Sequence, residues 1–176
     1  MMSKKQILAI CGSTRKQSAN KDIISVITKM SQDTLEITLY DGLIDLPFFN
    51  QDITDINMPT TVIALREAIS KADGVLICTP EYVFSLPGVL KNALEWMVST
   101  TVFLNKPTAL ITASSSGEKA HESLVLVMKT LGIKTNEEAC LLVSGVKSKL
   151  NLQGDVIDNA LVSKLENLIE NFQKLL

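Results

Sequence analysis

Ile7 to Met30 reads ILAICGSTRKQSANKDIISVITKM, an apolar run ended by Gly12, then a hydroxyl-rich stretch, then Ile23, Ile24, Ile27 and Met30 at helical spacing. A run from Ile7 to Cys11 is too short for a helix and has no polar alternation, so it predicts a strand buried on both faces, followed by a helix. The same alternation continues outward along the chain. Glu36 to Tyr40 alternates polar and apolar like a more exposed strand, and Val62, Leu65, Arg66 and Ile69 share a helix face before the buried run Gly74 to Cys78. Val89, Leu90, Ala93, Leu94 and Met97 form a stripe before strand Thr108 to Thr112. Leu124, Val125, Met128 and Leu131 form another before strand Cys140 to Ser144, and Leu161, Leu165, Leu168, Ile169, Phe172 and Leu176 mark a last helix. Five strands alternating with five helices predict an α/β, doubly wound parallel sheet with helices on both faces, and right-handed crossovers leave few arrangements.

The chain has 176 residues, and no linker or internal repeat divides it, so residues 1–176 are read as a single domain, one able to bury about 70% of its unfolded surface. Apolar residues make 46% and charged residues 20%, which excludes disorder and fibrous repeats. Seventeen Lys and Arg against nineteen Asp and Glu leave a charge of −2 and no basic field for nucleic acid. Mean hydropathy is +0.23, yet no apolar run is long enough to span a membrane and the start lacks a signal-peptide core, so the expectation is a soluble, cytoplasmic protein. Cys11, Cys78 and Cys140 are widely spaced, with no CxxC, and His121 is the single histidine. A zinc site or a histidine-based triad therefore has almost nothing to assemble from, and each cysteine is read as a buried, inert thiol.

Ligands of such sheets bind beyond the carboxyl ends of the strands, where strand order reverses. The loop after the first strand, Gly12 to Asn20, is neither GxGxxG nor GxxxxGK[ST], which disfavours dinucleotide or nucleoside-triphosphate binding. It offers hydroxyls from Ser13, Thr14 and Ser18, the Arg15 guanidinium, the Asn20 amide and the N–H groups that open a helix, a donor set suited to a terminal phosphate. Ser18 or Asn20 could equally be a plain helix cap. After the third strand, Tyr82 and Phe84 would flank a planar slot, and the amides from Tyr82 to Ser85 could meet the polar edge of a ring. The alternative is a turn capped by Ser85 and stopped by Pro87 and Gly88.

These two loops carry a resemblance to the NAD(P)H-dependent FMN reductases of flavodoxin-like fold. Their GSxRxxSxN signature is met at every specified position from Gly12 to Asn20. Their PEYNxSxPGxLKNAIDW segment is nearly met from Pro80 to Trp96, and Leu46 to Asp52 is similar to their connection after strand two. The resemblance implies strand order 2-1-3-4-5 and an FMN phosphate held by Ser13, Arg15, Ser18 and Asn20. It implies an isoalloxazine lined by Pro80, Glu81, Tyr82, Val83, Phe84 and Ser85, largely through backbone, with Ser114, Ser115 and Gly117 closing the other side. It also implies NADPH or NADH as reductant, a quinone, azo compound, metal oxyanion or free flavin as small-molecule acceptor, and a homodimer or homotetramer. Trp96 would lie either in the core or at that subunit interface. Val83 stands where the family has Asn, and Glu118-Lys119-Ala120-His121 replaces a glycine-rich continuation. Glu118 and His121 are read as a solvated helix start, and Lys91 and Asn92 as helix-surface or interface groups.

Other classes share the fold. A flavodoxin-type electron carrier would share the FMN, but such carriers are usually more acidic and lack the loop arginine. A phospho-acceptor domain needs acidic residues where this chain has Cys11-Gly12 and Thr79-Pro80. A non-catalytic FMN-binding interaction module is the third alternative.

Overall fold

The computed structural model describes residues 3–176. Five strands, β1 (Lys5–Cys11), β2 (Leu35–Tyr40), β3 (Gly74–Thr79), β4 (Thr108–Ser114) and β5 (Cys140–Ser144), form one parallel sheet in the order β2-β1-β3-β4-β5. Five helices connect and flank them: α1 (Ala19–Met30), α2 (Thr60–Lys71), α3 (Gly88–Glu95), α4 (Glu118–Thr130) and α5 (Asn159–Leu175). The fold class and order are as the sequence reading expected.

Strand alternation divides the core in two. Ile7, Ala9 and Cys11 of β1 face Ile23, Ile27, Leu165 and Phe172 of α1 and α5, while Leu8 and Ile10 face the opposite layer, where Val62, Leu65, Leu90 and Leu124 of α2, α3 and α4 pack. Central β3 is buried at every position, which is why it reads as an unbroken apolar run, whereas edge strand β2 is mostly exposed or half-buried and alternates. Cys11 and Cys78 are in-register partners on β1 and β3, both buried, and burial raises both thiols, Cys78 well above its ordinary value. They are poor nucleophiles, in keeping with the inert reading.

One element is shorter than its pattern. Helix α3 ends at Glu95, and Met97, taken above as the last residue of its stripe, lies in a tightened turn where its N–H bonds Leu94 O, though it stays 1% exposed. The chain leaves β1 toward β2 and then crosses to β3, so the switch point lies between the loops that follow β1 and β3.

Candidate functional site

Gly12 begins the loop after β1 by pressing against β3. A Cβ there would overlap the hydroxyl and Cβ of buried Thr79, so only glycine permits this approach. Beyond it the chain runs without secondary structure to Ser18, whose backbone is extended and whose hydroxyl accepts from Asn20 N at 3.3 Å as the N-cap of α1. Among the described residues, no backbone N–H from Ser13 to Ala19 has a protein acceptor. Arg15 is exposed and forms no ion pair among the described residues. A row of free amides, a free guanidinium and the positive end of a 12-residue helix fit a phosphate dianion.

Asn20 departs from the expected ligand role. Its side chain is buried, its amide N–H donates to Ala113 O at 3.1 Å, and its Oδ1 accepts from the Cys78 thiol at 3.3 Å. It ties α1 to β4 and β3, leaving one amide N–H uncommitted, because a buried amide so close to two strand ends is satisfied by them first.

The loop after β3 holds a two-residue hairpin. Tyr82 N donates to Ser85 O at 3.0 Å and Ser85 N to Tyr82 O at 3.1 Å, with Val83 and Phe84 between them at φ +53° and +55°. That is a type I′ turn, which normally takes Asn or Gly, and a β-branched residue there is strained by about 1–2 kcal/mol. Val83→Asn should therefore raise the unfolding temperature by roughly 2–4 °C per kcal/mol relieved, measured by differential scanning calorimetry.

A cavity of about 510 Å³ opens beside these loops and is lined by Ser13, Arg15, Ser18, Asn20, Pro80, Glu81, Tyr82, Ser114 and Ser115. Nine of the thirteen expected site residues thus meet at one place. Val83, Phe84, Ser85 and Gly117 do not line it. Val83 and Phe84 project into solvent, 94% and 79% exposed, because the turn aims both side chains outward. Gly117, at φ +94°, begins α4 behind the wall formed by Ser114 and Ser115. The Glu81 carboxylate turns toward that helix start rather than into the cavity.

The fourth wall was missed from sequence. Val146, Lys147, Leu150, Asn151 and Leu152, on the connection between β5 and α5, line the same cavity, as do Gln17 and Asp22. Lys147 is an exposed cation with no ion pair among the described residues. A basic residue in a turn after a strand is too common a pattern to single out, and only the folding of that connection over α1, where Lys29 meets Asp155 at 3.4 Å, brings it here.

Three other residues differ from expectation. Asn92 is buried, accepting from Phe49 N at 2.8 Å and donating to Pro47 O at 3.0 Å, so it is not a surface group. Trp96 belongs to the core at 1% exposure, its indole N–H donating to Pro47 O at 2.9 Å and its ring meeting Phe49 edge-on. His121 is half-buried rather than solvated, with Nδ1 3.1 Å from the Thr112 hydroxyl, and burial lowers its pKa below the usual 6.5. Its unfolded form therefore binds a proton more readily, and the stability it contributes is present above pH 6.5 and lost progressively as pH falls from there through its lower folded-state value. His121→Gln should flatten this part of the stability profile, followed by urea unfolding between pH 5 and 7.5.

The chain matches the family described as NADPH-dependent FMN reductase over residues 6–147. It is 30% identical to a quinone reductase of Escherichia coli strain K12, over 98% of this chain and 95% of that protein. It is 32% identical to subunit CrdA of an NADH:(hydroxy)cinnamate reductase of Vibrio ruber, over 94% and 84%. Among solved structures, the flavoenzyme NAD(P)H:(acceptor) oxidoreductase FerB of Paracoccus denitrificans superposes with a TM-score of 0.77 at 26% identity, covering 97% of this chain and 98% of that one. The family match runs from β1 through β5 and takes in the loops after β1, β3 and β4, so the chain belongs to the NADPH-dependent FMN reductases, enzymes of flavodoxin-like fold that use FMN and NAD(P)H.

Proposed function

We propose that this enzyme takes hydride from NADPH or NADH and passes it to a quinone, azo, metal or flavin acceptor, with donor and acceptor using one opening in turn. The observation that carries this reading is the run of free amides from Ser13 to Ala19 beside Arg15, at one end of a cavity whose far walls are the loops after β3 and β4. FMN, when bound, supplies the hydride chemistry on its ring. The protein's part is binding and access. The amides, Arg15, Ser13 and Ser18 hold the phosphate. Pro80, Glu81 and Tyr82 on one side and Ser114 and Ser115 on the other orient the ring, with Gly117 setting the path of the second wall. The Val83–Phe84 turn, with Ser85 closing it, borders the approach. No protein acid or base is required.

A shared opening implies ping-pong kinetics, with parallel double-reciprocal lines. Intersecting lines would favour a ternary complex, and a flavin left unbleached by prolonged anaerobic NADPH and NADH would reject the reductase reading. Phe84→Ala should change turnover or acceptor preference more than FMN affinity, because Phe84 stands outside the cavity while the phosphate loop is untouched. Steady-state kinetics with two acceptors, beside an FMN titration, checks this.

The proposal extends to a homodimer or homotetramer in the cytoplasm. Phe48, Val83 and Phe84, all largely exposed on the connections after β2 and β3, support self-association, and sedimentation velocity tests it. No described helix is long and apolar enough to cross a membrane.

A further inference from the structure

We infer that the Glu81 side chain is a positioning residue, a clamp that fixes the ring-side wall after β4 from the loop after β3; the inference rests on the flavin site proposed above. Helix α4 begins at Gly117, which has a left-handed backbone and no side chain with which to cap the first turn. A substitute comes from across the crevice. The Glu81 carboxylate accepts from Gly117 N through Oε1 at 3.3 Å and from Ala120 N through Oε2 at 3.0 Å, satisfying two end amides of a 13-residue helix. A side chain at Gly117 would be strained by its left-handed backbone at φ +94° and would press on Leu142 Cδ1 at 2.9 Å, so a capping side chain is disfavoured at that position.

The geometry has a direct bearing on the cavity. Ser114 and Ser115 line it, and the segment that continues from them to Gly117 is tied to the end of β5 by Ser144 Oγ donating to Ser116 O at 2.8 Å and by Gly145 N donating to Ser115 O at 3.0 Å. Those bonds anchor the middle of the segment. Its far end is anchored to the opposite, Tyr82-bearing wall through Glu81 alone among the described residues, so the width between the two walls is set by that carboxylate. Removing it leaves two helix-end amides facing a gap of carboxylate size, which a small free carboxylate can fill.

The test compares Glu81→Ala and Glu81→Gln with the parent, titrating the flavin-free proteins with FMN and with riboflavin, which lacks the phosphate. Glu81→Ala should weaken both ligands by a similar factor, about ten-fold on the scale of two charge-assisted hydrogen bonds lost at one loop, because the fault lies at the ring end. About 0.1 M formate should restore most of the affinity to Glu81→Ala, while chloride at equal ionic strength should not. Glu81→Gln, which keeps one acceptor, should fall between parent and Glu81→Ala and covers the case in which the alanine variant does not fold. Hydrogen exchange in the absence of flavin should be faster at Gly117 to Ala120 in both variants. Parent-like exchange there, parent-like affinities in Glu81→Gln, a loss confined to FMN, or a loss in folded Glu81→Ala that formate leaves untouched would each overturn the clamp. A parent that binds neither flavin, with exchange still accelerated in the variants, would instead overturn the flavin site and leave the clamp standing.

Discussion

Arg15→Ala should weaken FMN by about 1.5–3 kcal/mol, roughly ten- to hundred-fold, and leave riboflavin affinity unchanged. Arg15 is exposed, has no partner among the described residues and belongs to no core cluster, so its loss should not disturb the fold. The whole effect should fall on the phosphate. Isothermal titration of both ligands against both proteins measures it, and equal FMN affinities would remove Arg15 from the site. The loss should also shrink in high salt, since an exposed charge pair is screened within about 8–10 Å at physiological ionic strength. Phosphate binding would persist in part, because the amides from Ser13 to Ala19 do not depend on this side chain.

Gly12→Ala should destabilise the protein by about 1–3 kcal/mol and disable the flavin site with it. An added methyl meets not only the Thr79 hydroxyl, which could rotate, but also its Cβ at 2.8 Å and Leu90 at 3.2 Å. Relief must therefore come from moving β1's exit away from β3. That motion would carry Ser13 and the amides after it out of position, and break the Gly12 N to Cys78 O bond of 2.9 Å. Chemical denaturation and an FMN titration should both register the change. Loss of stability with parent-like FMN affinity would show that the loop's position is set elsewhere.

The sheet was legible because burial imposes its signature directly. β3 and β5 were bounded to within a residue, and the edge position of β2 was written in its alternation. Expectation and structure part where side-chain direction depends on partners distant in sequence. Asn20 fits the phosphate pattern by type, but the carbonyl of Ala113 and the thiol of Cys78 take up its amide. Phe84 suits a wall of the slot by type, yet the positive φ of a two-residue turn sends it outward, and no local propensity predicts that conformation for Val-Phe. Lys147 became a lining residue only through the path of the β5 to α5 connection, which no motif marks. The loop after β1 was the most readable part of the candidate site because its free donors are largely backbone, and so depend on where the strand ends rather than on where side chains point.

The two hydrogen bonds that converge on the Pro47 carbonyl make the long crossing between β2 and α2 a passenger of α3. With Phe49 N held by Asn92, three bonds join residues 47–49 to the eight-residue α3 and to Trp96 just beyond it, and the first turn of that helix follows the Tyr82 hairpin by only a few positions. Trp96 is the single tryptophan of the chain, and its indole N–H is one of those three donors. Its emission is therefore a built-in gauge of whether the crossing is docked. Detachment would admit water to the ring and shift the emission to the red, before any strand of the sheet had parted.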